Sequence, residues 1–79
     1  MISVDILSPE NSTHLDVDAI FFPSVMGEFE VLNNHAPIIA LLEEGKIHWR
    51  IGSEEGSMKV SGGIVRVKNN SIQVCVDNL

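Results

Sequence analysis

Apolar and polar residues alternate one by one along most of this chain, a period that suits a pleated strand and no helix. Lys46-Ile47-His48-Trp49-Arg50-Ile51 sets Ile47, Trp49 and Ile51 on one face and the basic and imidazole groups on the other. Ser71 to Asp77 repeats the pattern, with Ile72, Val74 and Val76 inward and Gln73, Cys75 and Asp77 outward. Ile2, Val4 and Ile6 alternate with Ser3 and Asp5, and Val65 and Val67 flank Arg66. Successive side chains of a strand point to opposite faces, so these are half-buried strands with one wet side. The runs Ala19 to Phe22 and Ile38 to Leu42 are apolar throughout, which predicts central strands buried on both faces. No stretch long enough for a helix carries an apolar stripe at helical spacing.

Turn-forming residues recur about every 8 to 12 positions, as in a sandwich or barrel. They are Ser8-Pro9-Glu10-Asn11, Pro23-Ser24, Asn33-Asn34, Glu43-Glu44-Gly45, Gly52 to Gly56, Gly62-Gly63 and Asn69-Asn70. Asn69-Asn70, between two clean alternations, predicts a two-residue hairpin whose central residues both need positive φ. Gly62-Gly63 lies between strand patterns and predicts a bulge or a close backbone approach. These signals define one all-β domain over residues 1–79, a small antiparallel β-sandwich of about eight to ten short strands.

A 79-residue chain buries roughly 60 to 65% of its unfolded surface, so its core alone leaves a thin margin of stability. The single cysteine, Cys75, cannot bridge internally, which makes a reducing compartment the simplest reading and a partner a plausible source of extra stability. A net charge of −6, with Lys46, Arg50, Lys59, Arg66 and Lys68 scattered, argues against nucleic acid and against adsorption on anionic lipid. No apolar run reaches the roughly 20 residues of a membrane helix, and Met1-Ile2-Ser3-Val4-Asp5 has no signal-peptide character. Asn11-Ser12-Thr13 and Asn69-Asn70-Ser71 fit the glycosylation pattern but read as turns.

Chemistry finds little support. His14, His35, His48 and Cys75 are far apart, without the short spacings that preform a metal site, and solvation accounts for His48 on its polar face. Ser61-Gly62-Gly63 lacks the strand-to-helix elbow of a nucleophile, and no glycine-rich phosphate loop is present. The paired acids Glu43-Glu44, Glu54-Glu55 and Asp16 with Asp18 fall in turns or on wet faces. No catalytic residue, metal, cofactor or small-molecule substrate is expected. Two sharp corners remain, Pro23 to Glu28 and Asn33 to Pro37, the second with His35 at its apex. Asn tolerates positive φ and Pro37 holds Ala36 extended, so this corner has a defined shape suited to recognition.

Three segments together resemble the N-terminal β-sandwich domain of the epsilon subunit of F-type rotary ATP synthase. Ile20-Phe21-Phe22-Pro23, then Gly27-Glu28-Phe29-Glu30-Val31-Leu32, is similar to that family's strand and Gly-Glu loop. His35-Ala36-Pro37-Ile38-Ile39-Ala40-Leu41-Leu42, then Gly45-Lys46-Ile47, is similar to its His-Ala-Pro strand and following turn. Val60-Ser61-Gly62-Gly63-Ile64-Val65 with Val74-Cys75-Val76-Asp77 is similar to its closing strands. The chain departs from the family at Asn33-Asn34, where Pro-Gly is usual, and at Glu30, where a small residue is common.

The resemblance implies a non-catalytic rotor subunit of the central stalk, peripheral at the cytoplasmic face of a bacterial inner membrane. It would dock on the gamma subunit and the c-ring and couple proton- or sodium-driven rotation to ATP synthesis. Carried over by position, the c-ring-facing loop would be Pro23, Ser24, Val25, Met26, Gly27 and Glu28, and the gamma-facing set Ser8, His35, Ala36, Pro37 and Ile39. Gly27 equally fits a plain turn residue, Pro37 a strand starter, and Ile39 and Trp49 core residues. Longer members continue into a helical hairpin where this chain reads Val76-Asp77-Asn78-Leu79. If the chain is complete, latch inhibition and ATP binding by this subunit are expected to be absent. The alternatives are a stand-alone β-sandwich interaction module, which would want an aromatic platform or open strand edge, and a small hydrolase acting through Ser61.

Overall fold

The computed structural model describes residues 1–77; Asn78 and Leu79, where the family's hairpin was expected to begin, lie outside the described residues. Nine strands and no helix make up the described chain: β1 Ile2–Leu7, β2 Ser12–Val17, β3 Ala19–Ser24, β4 Gly27–Val31, β5 Ile38–Leu42, β6 Gly45–Ile51, β7 Glu54–Val60, β8 Gly63–Lys68 and β9 Ser71–Val76. Hydrogen bonding joins them in the order β2-β1-β9-β8-β5-β3-β6-β7, with β4 also on β3. Every pairing is antiparallel except that of β1 with β9.

The path bends at its middle. β5 and β3 share only the Ser24–Leu42 pair, so the sheet folds over there and closes both halves on one core. Ile2, Val4 and Ile6 of β1, Val65 and Val67 of β8, and Ile72, Val74 and Val76 of β9 fill it from one side. Ile20 and Phe22 of β3, Val31 of β4 and Ile47 of β6 fill it from the other. The Phe22 and Phe29 rings meet inside at 5.5 Å. Across the opposite rim, the Asp18 amide donates to the Arg50 carbonyl at 2.8 Å, and the Asp18 carboxylate accepts from the Gly52 amide at 2.7 Å.

The alternations in β1, β6, β8 and β9 place the expected residues inward, and the Ala19–Phe22 run is buried save for half-buried Phe21. Asn69 and Asn70 take φ of 52° and 61°, as their hairpin requires. Gly63, at φ 146°, makes the close approach: a Cβ there would fall on the Cys75 carbonyl oxygen and 3.0 Å from Val76 Cα.

Four expectations need correction. Ile38–Leu42 is buried on one face only, because none of the described residues covers Ile39 and Leu41. The Gly52–Gly56 turn is shorter than read, since β7 resumes pairing at Glu54. Gly56 sits in that strand opposite Trp49, where any Cβ would meet the indole at 2.6 Å. Trp49 is accordingly half-buried, lying against the core rather than inside it. Solvation does not account for His48, whose ring stacks on Phe21 at 4.6 Å.

His14 on β2 lies between two carboxylates. Its Nδ1–H donates to Asp5 at 2.8 Å and its Nε2–H to Asp16 at 3.3 Å, an arrangement only the imidazolium satisfies in full. The Asp5 hydrogen bond raises its pKa above 6.5, desolvation opposes that rise, and the Asp16 charge and hydrogen bond add to it. A raised folded-state pKa stabilises below the unfolded value, and that contribution is lost as pH climbs through the folded one. Proton NMR titration should place the His14 midpoint above 6.5 and find it lowered by Asp5→Asn. A midpoint at or below that value contradicts the pairing.

Candidate interface

The functional question turns on the outer surface, because the interior is filled. Strand register lines up one row of apolar side chains across the outer face. Leu7 pairs with Cys75, Cys75 with Ile64, and Ile64 with Leu41. The Val25 amide then donates to the Leu41 carbonyl at 3.1 Å, bringing the β3–β4 hairpin to the end of the row. Every member is open to solvent: Leu7 42%, Ile64 43%, Leu41 57%, Val25 55% and Met26 92% exposed, with Cys75 exposed among them. Single exposed apolar residues are ordinary, but a contiguous line of them marks a surface that something covers.

The neighbouring rows are polar. Ile39, 67% exposed, pairs with Arg66, Arg66 with Gln73, and Gln73 with Asp5. The face thus carries an apolar band toward the hairpin and a charged band beside it.

The hairpin itself is held from within. Ser24 is buried; its hydroxyl donates to the Gly27 carbonyl at 2.6 Å and accepts from the Met26 amide at 3.1 Å. Ser24 therefore shapes the turn while Val25 and Met26 project from it. Gly27 takes φ 114° beyond the tip. Pro23 is half-buried, and its carbonyl accepts from the Glu43 amide at 2.9 Å, fastening the hairpin to the β5–β6 turn. Glu28 is exposed, its carboxylate accepting from His48 Nε2 at 3.1 Å.

Of the other positions singled out by sequence, Ser8 is half-buried in the β1–β2 turn, its hydroxyl accepting from the Asn11 amide at 3.2 Å. His35 is half-buried with Nδ1–H donating to the Ala36 carbonyl at 2.6 Å, while Ala36 and Pro37 are exposed. This corner is clipped to the β8–β9 hairpin, since the Asn34 amide donates to the Asn70 side-chain oxygen at 2.6 Å. Ser8 and Ile39 border the apolar row, and Ile39 also lines a shallow groove with Val25 and Met26. Two sets read as separate surfaces therefore adjoin. Among the described residues, no group of three His, Cys, Asp or Glu is placed to hold a metal ion.

The whole chain, residues 1–79, matches the family model described as the ATP synthase delta/epsilon chain β-sandwich domain. The chain belongs to this family. Its relatives include the ATP synthase epsilon chain of Dehalococcoides mccartyi strain BAV1, 35% identical over 78 residues, which cover 98% of this chain and 56% of that one. The Leptospira interrogans ATP synthase epsilon chain is 36% identical over 78 residues, covering 98% and 61%. The chain thus spans little more than half the length of these epsilon chains. Among solved structures, the Tetrahymena thermophila mitochondrial ATP synthase central stalk and c-ring assembly contains a chain matching with TM-score 0.85 at 20% identity, over 98% of this chain and 63% of that one. The Euglena gracilis mitochondrial ATP synthase assembly of OSCP, F1 and c-ring contains another, with TM-score 0.89 at 20% identity, over 95% and 49%. At such identities the structural likeness establishes the fold alone.

Sequence reasoning missed Leu7, Ile64 and Leu41 as surface residues, while it set Cys75 outward, where the structure has it. The signal was present: Leu7 and Ile64 occupy the outward positions of β1 and β8, where polar residues would be the ordinary choice.

Proposed function

We propose that this chain is a non-catalytic rotor element of an F-type ATP synthase. It docks on the gamma subunit through the outer face of β1, β9, β8 and β5, and on the c-ring through the β3–β4 hairpin. Ion flow, of protons or sodium, turns the ring, and the domain helps carry that rotation to gamma and to ATP-forming sites on other subunits. It would sit peripherally at the cytoplasmic face of a bacterial inner membrane. No helix of the described residues is long and apolar enough to cross a membrane.

The observation that carries this reading is the apolar row Leu7–Cys75–Ile64–Leu41 with Val25 and Met26 at its end. It offers one partner a flat, dry contact and a second partner a projecting tip at the same edge. Torque transfer needs a stiff body, and nine strands joined in one hydrogen-bonded sheet provide it. His35, Ala36 and Pro37 flank the gamma side of this surface; Pro23, Ser24 and Gly27 shape the ring side.

Glu28 is the ring-side residue whose charge is best placed to pair with basic side chains of polar ring loops. Glu28→Lys should leave the melting temperature within a few degrees and reduce co-purification with the c-ring about tenfold or more, because a like charge replaces an attractive one. Normal retention of the ring by this variant would remove Glu28 from the contact.

A further inference from the structure

Glu28 and His48 are 20 residues apart and lie on different strands, β4 and β6, both of which pair with β3. Register puts His48 opposite Phe21 and Glu28 opposite Pro23, so the contact runs diagonally over β3. Two interactions fix the imidazole. Its plane lies 8° from that of Phe21 at a centroid distance of 4.6 Å, and its Nε2–H donates to Glu28 Oε2 at 3.1 Å. The stack removes the freedom of the ring to rotate, and the hydrogen bond passes that order to a glutamate that would otherwise sample several rotamers.

Both side chains are about half exposed, His48 at 44% and Glu28 at 58%. An exposed pair of this kind contributes little to folding stability. Its effect is to hold a carboxylate in one orientation on the outer surface just beyond the hairpin tip. Among the described residues, His48 is the side chain that bonds Glu28. Oε1 is the oxygen that an incoming donor would engage.

We infer that His48 is a positioning residue: anchored on Phe21, it presents the Glu28 carboxylate to a lysine or arginine of the partner that meets the β3–β4 hairpin. The inference rests on the reading of Glu28 as a ring contact. It adds that the contact is pre-organised, so that part of the ordering cost is met before the partner arrives.

The test measures dissociation constants of the full chain from the detergent-solubilised gamma–c-ring subcomplex for wild type, Glu28→Gln, His48→Phe, His48→Gln and the Glu28→Gln/His48→Phe double variant. Glu28→Gln should weaken binding about tenfold, the size expected for losing a charged hydrogen bond. His48→Phe keeps a ring on Phe21 but has no donor, and should weaken binding about threefold. His48→Gln keeps a donor but loses the stack on Phe21, and should bind between wild type and His48→Phe. The double variant should bind no worse than Glu28→Gln alone, since the two residues act as one unit. If Glu28→Gln binds normally, the underlying contact is wrong. If Glu28→Gln is impaired while His48→Phe binds like wild type, or the losses multiply, the contact stands and the role of His48 falls. NMR couplings of the free chain give a readout without any partner: one Glu28 rotamer in wild type, averaged in His48→Phe. Averaging already present in wild type overturns the inference.

Discussion

Gly63→Ala is expected to destabilise the domain by roughly 2–5 kcal/mol, the combined cost of a strained backbone and a forced steric contact. At φ 146° glycine is at home and an L side chain is not. A methyl group there would fall on the Cys75 carbonyl oxygen and within 3.0 Å of Val76 Cα, both backbone atoms of β9 in the last two pairs of the β8–β9 ladder. Neither can move without breaking the pairing that holds β9 between β8 and β1. A domain of this size has about 4–12 kcal/mol in all, so the loss takes a large share, and the melting temperature should fall by roughly 10–30 °C. Gly62→Ala is the natural control. Its added carbon would meet the Asp77 carboxylate oxygen at 3.0 Å, the far end of a side chain that can swing away. Similar melting temperatures for the two variants would refute the close-approach account of Gly63.

The second large effect concerns binding. Leu41→Asp should leave the isolated domain folded, because Leu41 is 57% exposed and touches the core only through its backbone strand. In the assembly the account puts that side chain at the centre of a dry contact. A buried unpaired carboxylate there should cost about 2–4 kcal/mol of association, or roughly thirtyfold to a thousandfold in affinity for gamma. The contrast between intact fold and lost binding separates an interface residue from a structural one. A variant that melts normally and assembles normally would show the row to be an unused surface.

The legibility of this chain follows from where each side chain's partner lies. β1, β6 and β9 are plain in sequence because their alternation reflects one covered face and one wet face within the same molecule. The Asn69-Asn70 hairpin is plain because the backbone conformation it needs restricts the residue type. β2 is not singled out by pattern: it lies at the end of the sheet path, and only Val17 of its six residues is fully buried. The fully apolar β5 looks like a strand covered on both sides, and the described residues cover it on one. Its sequence is the one such a strand would need if another subunit covered the second face. The Phe21–His48–Glu28 cluster could not be read in advance, since it joins three strands through register that only the fold supplies. The same holds for the apolar row, whose members Leu7, Leu41, Ile64 and Cys75 are spread over nearly the whole chain.

Cys75 sits in the middle of that row and is the only cysteine in the sequence, so its thiol reports on the surface without any engineered label. Maleimide labelling of the free domain and of the assembled synthase is the most direct test. The account predicts rapid modification of the free chain, strong protection when gamma is bound, and loss of that protection in Leu41→Asp. Equal labelling rates in the free and assembled states would contradict it, because the outer face of β9 would then be open to solvent where gamma should lie.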